Sequence, residues 1–96
     1  MIVHIVMFKF NKEDKDENLL MVKNRLEELV SKIPTLKSME VGIDFNQSDR
    51  AYDLSLYSTF DTKDDLKVYA SHPEHMKVVE LIKNVTTESK VVDYIL

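Results

Sequence analysis

Residues 1–10 read MIVHIVMFKF. The run is rich in β-branched and aromatic types, the composition of a strand. Successive strand side chains point to opposite faces. Ile2, His4, Val6, Phe8 and Phe10 therefore share one face, and Met1, Val3, Ile5 and Met7 the other. Both faces stay apolar as far as Lys9, whereas a strand covered on one side only would alternate with polar residues. This strand needs cover on both sides. The run is too short to span a bilayer, and it lacks the leading Lys or Arg of a secretory signal.

Downstream, residues 11–17 (NKEDKDE) supply the acidic side chains that favour a helix start. Leu19, Val22, Leu26, Leu29 and Ile33 then recur every three or four positions, the apolar stripe of an amphipathic helix. Pro34 ends it. From Leu36 to Phe45 the period becomes two, with Met39, Val41, Ile43 and Phe45 on one face. The chain's one glycine, Gly42, suggests a bulge or a close backbone approach there. Residues 46–51 form a turn, and 52–60 (YDLSLYSTF) return as a second strand of a hairpin.

Asp61 is placed to cap a further helix, with Asp64 in its first turn and Leu66, Tyr69 and Ala70 on one side. Ser71-His72-Pro73-Glu74 reads as a capping box with proline in the first turn, so this helical region bends into two pieces. The later piece carries Met76, Val79 and Ile82, with Val78 and Leu81 close by. Residues 86–89 (TTES) read as a loop, and 90–96 (KVVDYIL) as a last strand.

The order β-α-β-β-α-β is the α+β, ferredoxin-like arrangement, with two helical regions on one face of a four-stranded antiparallel sheet. Residues 1–96 fit a single domain. The other face is left bare and carries Met1, Val3, Ile5 and Met7. A stable monomer does not leave such a patch in water, and two sheets packed face to face would bury it. A homodimer is expected. No cysteine is present to staple so small a core, which also fits a reducing cytoplasm. The 13 basic and 17 acidic residues are interspersed and give a net charge of −4, so nothing draws the chain to nucleic acid or to an anionic membrane.

Chemistry, if present, rests on His4, Tyr69, His72 and His75. His4 lies mid-strand among Ile2, Val6 and Phe8, either as a core histidine bonded to one neighbour or as a pocket residue. His72 and His75 flank the bend, where helix-start chemistry alone would explain them. As a pair three residues apart they are a weak zinc signal with no evident acidic ligand, and no metal is expected. Tyr69 lies six residues before His75. Facing one space, its phenol could polarise a carbonyl while the imidazole takes a proton from the adjacent carbon. Met7, Met39 and Met76 read as core filler.

The chain resembles the stress-responsive A/B-barrel domain (Dabb) family, among the dimeric α+β barrels, over essentially its whole length. The resemblance is carried by His4-Ile5-Val6-Met7-Phe8-Lys9-Phe10, by Ile33-Pro34 with Lys37 and Gly42, and by Tyr52 and Phe60 at the ends of one strand. It continues through Tyr69-Ala70-Ser71-His72-Pro73-Glu74-His75 and Val91-Val92-Asp93-Tyr94. It implies a homodimer with a barrel-like core, and a pocket between each sheet and its own helices. His4 and His72, with Val6 and Phe8, would line that pocket. In plant members that act as polyketide cyclases, the positions matching Tyr69 and His75 are the catalytic pair, and the one matching His4 lines the pocket. Chemistry of this kind requires no cofactor, and none is expected here. Leu26 and other aliphatics stand where those cyclases place aromatic residues, so the plant substrate does not carry over. Related barrels that degrade haem typically use a tryptophan, and none is present here.

Two readings follow. One is a non-catalytic, stress-responsive barrel that holds a small ligand between sheet and helices. The other is a cofactor-free cyclase or lyase acting on a carbonyl compound through Tyr69 and His75. An enclosed cavity on which Tyr69 and His75 converge favours the enzyme. A filled core with His75 outside favours the first.

Overall fold

The computed structural model describes residues 1–96. It places β1 at Ile2–Phe10, α1 at Lys15–Glu27, α2 at Leu29–Lys32, β2 at Ser38–Ile43, β3 at Leu54–Phe60, α3 at Lys63–Ser71, α4 at Pro73–Val85 and β4 at Thr86–Ile95. The strands form one antiparallel sheet in the order β2-β3-β1-β4. This is the expected ferredoxin-like order, with β1 central as its apolar faces require. No helix is long and apolar enough to cross a membrane.

The core lies between the sheet and the helices. Ile2 and Phe10 of β1 meet Leu54, Leu56 and Phe60 of β3 from below. Leu19, Val22 and Leu26 of α1 and Val78 and Ile82 of α4 close it from above. The helical stripe thus packs as its spacing predicts. The first helical region is interrupted at Glu28, where the Ser31 amide turns back to the Glu28 carbonyl at 3.3 Å and the Ser31 hydroxyl donates to the same oxygen at 2.9 Å. A serine that bonds a nearby carbonyl competes with the regular ladder and tightens the turn.

Several local expectations need correction. Gly42 marks no bulge. Its register with Ser55 is unbroken, its φ is not positive, and an added Cβ would meet the Ser55 hydroxyl at an ordinary 3.6 Å. The irregularity lies instead between β1 and β4, where the register shifts between Lys9 and Phe10. Residues 86–89 are not a loop: β4 begins at Thr86 directly after α4, and the Thr86 hydroxyl donates to the Ile82 carbonyl at 2.9 Å to finish the helix. Thr62, not Asp61, caps α3, its hydroxyl accepting from the Asp65 amide at 3.0 Å. On α4 the buried side belongs to Val78 and Ile82, and Met76 is exposed. Phe45 lies beyond the end of β2 and is 94% exposed.

Asp53, within the stretch read as strand, is buried just ahead of β3. Its carboxylate accepts the Phe10 amide at 2.8 Å and pairs with Lys15 at 2.7 Å. Those two bonds compensate the burial of a charge, which alone would be costly. They also tie the end of β1 to the start of α1.

Candidate acid–base site between sheet and helices

The bend at residues 71–73 positions the candidate site. Pro73 cannot donate a backbone hydrogen bond, so α3 stops and α4 restarts with Pro73 at its first position. His72 is extended and serves as the cap between them: its Nδ1 accepts from the Glu74 amide at 3.1 Å. The expected cap, Ser71, instead bonds the Lys67 carbonyl at 3.2 Å. The restart turns α4 so that His75 shares a side with Val78 and Ile82 and comes back against Tyr69 of α3.

The two rings meet at a centroid distance of 4.3 Å and an angle of 43°. Tyr69 continues onto Phe60 at 5.1 Å, and Phe60 onto His4 at 6.5 Å. These four rings run from the bend across to the middle of β1. A cavity of about 170 Å³ lies alongside them, bordered by His4, Val6, Phe8, Tyr69 and His75 together with aliphatic residues including Leu26 and Val78. An apolar engineered cavity of about 150 Å³ takes up benzene, so this one has room for a small ring or a short carbonyl compound. Thr86 and Ser89 stand on its β4 side.

His75 Nδ1 lies 2.9 Å from the Ala70 carbonyl oxygen. A carbonyl only accepts, so Nδ1 carries the hydrogen and donates it, and Nε2 keeps its lone pair. Burial pushes the His75 pKa below its ordinary value, against the opposing effect of the Ala70 bond, and the charges of His4 and His72 push the same way as burial. His75 is thus held neutral, in the tautomer that leaves Nε2 as a base. Burial raises the Tyr69 pKa, so the phenol keeps its proton. Its hydroxyl bonds to no group of the protein. The one side-chain polar atom both sealed off and without a partner is Thr35 Oγ1. Tyr69 is 1% exposed, and it is among the residues that border the cavity.

The sequence reading missed Asp93. It sits opposite His4 in the register of β1 and β4, and its carboxylate accepts from His4 Nδ1–H. That bond fixes the second imidazole as the first is fixed, by its Nδ1. The resemblance included Asp93 among its marks, but only the antiparallel register shows it facing His4. His72 does not border the cavity. Its Nδ1 accepts from the Glu74 amide at the start of α4. No three His, Cys, Asp or Glu side chains gather as a metal centre would require.

The family model described as the stress responsive A/B barrel domain matches residues 2–96. A stress-response A/B barrel domain-containing protein of Arabidopsis thaliana is 32% identical over 95 residues, which cover 96% of this chain and 45% of that protein. The chain thus spans less than half the length of that relative. A dimeric protein of unknown function with a ferredoxin-like fold from Bacteroides fragilis is 35% identical, with a TM-score of 0.80 over 97% of this chain and 93% of that one. A dimeric ferredoxin-like protein of unknown function from Thermobifida fusca is 26% identical, with a TM-score of 0.88 over 99% and 90% of the two chains.

Proposed function

The chain belongs to the stress responsive A/B barrel domain family, and from that premise we propose that it is a homodimeric, cofactor-free protein that binds a small carbonyl compound beside Tyr69 and His75 and moves a proton on it. One observation carries the reading: the His75 ring, its Nδ1 bonded to the Ala70 carbonyl, packs at 4.3 Å and 43° against the Tyr69 ring, and both residues border one cavity. His75 Nε2 would take a proton from the carbon next to the carbonyl. The Tyr69 hydroxyl would donate a hydrogen bond to the carbonyl oxygen as negative charge grows there. The resulting enolate can attack a second carbonyl carbon, as in a polyketide-type cyclase, or expel a leaving group from its β carbon, as in a lyase. In either case the proton held on His75 Nε2 passes to the new alkoxide or to the leaving group. His4, held by Asp93, would orient the ligand from the far side, with Val6 and Phe8 as its apolar floor.

A binding-only role is the alternative, favoured by the predominance of apolar side chains around the cavity. The two part on one measurement. Incubated in heavy water with a panel of small ketones and 1,3-diketones, the protein should speed deuterium uptake next to the carbonyl. His75→Ala should lower that rate by about 10²–10⁴-fold. Binding without faster exchange than His75→Ala would establish the binding-only role.

The two solved relatives described as dimeric support a dimer here. We place the partner on the sheet face that carries no helix, where Met7, Tyr57 and Val92 are exposed. The absence of cysteine supports a reducing, cytoplasmic setting.

A further inference from the structure

A second hollow, of about 250 Å³, lies further along the same side of the sheet. Its floor is Ile2 of β1 with Asp93 and Ile95 of β4, and its wall is Lys63, Leu66 and Lys67 of α3. Ile2 and His4 are neighbours on one face of β1, and Asp93 is bonded to His4. The His4–Asp93 pair therefore stands between the two spaces, bordering the first through His4 and the second through Asp93.

The rim of this hollow carries two lysines. Lys63 and Lys67 are one helical turn apart on the same side of α3. Lys15, Lys23, Lys37 and Lys90 all have carboxylate partners within 4 Å, yet neither Lys63 nor Lys67 does. The one carboxylate in the hollow, Asp93, is engaged by His4. What remains is an apolar trough of aliphatic side chains with two uncommitted ammonium groups on one wall. Lysine stems can cover apolar surface while their charged ends stay in water. A ligand that matches has an aliphatic body and an anionic end.

We propose that this hollow binds the carboxylate-bearing end of an aliphatic acid, with the carboxylate between Lys63 and Lys67 and the chain over Ile2 and Leu66 toward His4. Resting on the reading of the first cavity as a ligand site, it makes the ligand an oxo acid: the carbonyl beside Tyr69 and His75, the acid group at α3.

Hexanoate and 1-hexanol probe this directly, because they share a chain and differ in charge. Titrated into the isotope-labelled protein, hexanoate should bind about fivefold more tightly than hexanol, as suits two exposed charges. Amide shifts should centre on Leu66, Lys67, Asp93 and Ile95. The preference should vanish in the double variant Lys63→Gln/Lys67→Gln, and also at about 1 M salt, where the screening length falls to about 3 Å. Equal affinities, or a preference that survives in the double variant, would overturn the proposal. Shifts confined to Val78 and Ile82 would overturn it too, while leaving the first cavity as a ligand site. No shifts with either compound, nor with the ketone panel, would remove both readings.

Discussion

The two faces of the sheet are built from alternate residues of the same strands, yet they are different surfaces. The helix side is a core: Ile2, Leu54, Leu56 and Phe60 are buried there, and space is left beside His4 and Tyr69 and, further along, against α3. The other side has no helix, and the register divides it in two. Across the middle row Val92, Ile5, Tyr57 and Glu40 stand side by side; in the next, Lys90, Met7, Ser55 and Gly42 do. The β1–β4 half is mainly apolar, and the β2 half is polar. The apolar first strand does not extend its character to the whole sheet. A partner that buries the apolar part must therefore seat over β1 and β4, off-centre from the hairpin.

The sharpest way to break this contrast is to place one charge in each half. Ile5→Asp should abolish the dimer, since a buried carboxylate without a partner costs several kcal/mol. Glu40→Lys should leave it intact. Sedimentation velocity at micromolar concentration reads both outcomes. A wild-type monomer, or a dimer indifferent to Ile5→Asp, would show that the bare face is not the interface. A standard interface buries about 1,600 Å² in total, and the β1–β4 half of the face would have to supply most of this chain's share.

On the helix side the largest effect is one of packing. Leu26 is 2% exposed and both completes the core and borders the cavity. Leu26→Ala should cost about 2–5 kcal/mol, as for other leucines removed from cores. It should also enlarge the cavity toward α1. Urea denaturation measures the first effect. The second shows as binding of bulkier ketones than the wild type admits. A loss below about 1 kcal/mol would mean that α1 collapses onto the space and that the cavity has a soft wall.

The long periodic segments made the fold legible. β1 and the stripe from Leu19 to Ile33 could be read from spacing, because burial imposes periods of 2 and 3.6, and the bend could be read from Pro73. What was not legible depends on residues far apart in sequence. Asp53 is paired and buried because the chain brings Lys15 and the Phe10 amide to it. Asp93 faces His4 through strand register alone. Four polar residues at 86–89 looked like a loop, but an edge strand tolerates them because no helix covers it. Ser71 with Glu74 fitted a capping box, yet His72 is the residue with extended backbone and a nitrogen aimed at the Glu74 amide. Tyr69 and His75 were singled out at loose spacing, and the turn of α4 after Pro73 is what brings their rings together.

The pH response tests the histidine that faces inward. Its folded pKa lies below the ordinary value of 6.5. As pH falls through about 6.5 the unfolded chain takes up the proton first, so stability falls. This contribution is fully present above that value and is lost progressively as pH drops through the lower folded pKa. The urea midpoint should therefore decline between pH 7.5 and 5 more steeply in the wild type than in His75→Gln. Equal slopes would mean that His75 is hydrated in the folded state, and the same result would weaken its assignment as the base.

His72 lies three residues from His75 and should behave oppositely, though the effect is the smallest of the series. Its ring nitrogen satisfies one of the free amides at the start of α4, and its side chain does not reach the cavity. His72→Ala should therefore cost about 1 kcal/mol, the usual loss when a capping side chain is removed. His72→Asn should recover most of that, because asparagine is among the preferred caps and its oxygen can accept from the same amide. Neither change should alter ketone-dependent deuterium uptake beyond what the small loss of folded protein explains. Thermal denaturation and the exchange rate, measured on the same two variants, separate the roles. Activity lost in His72→Asn with stability retained would return His72 to the ligand site, and it would mean that the bend positions two imidazoles for chemistry rather than one for structure and one for the cavity.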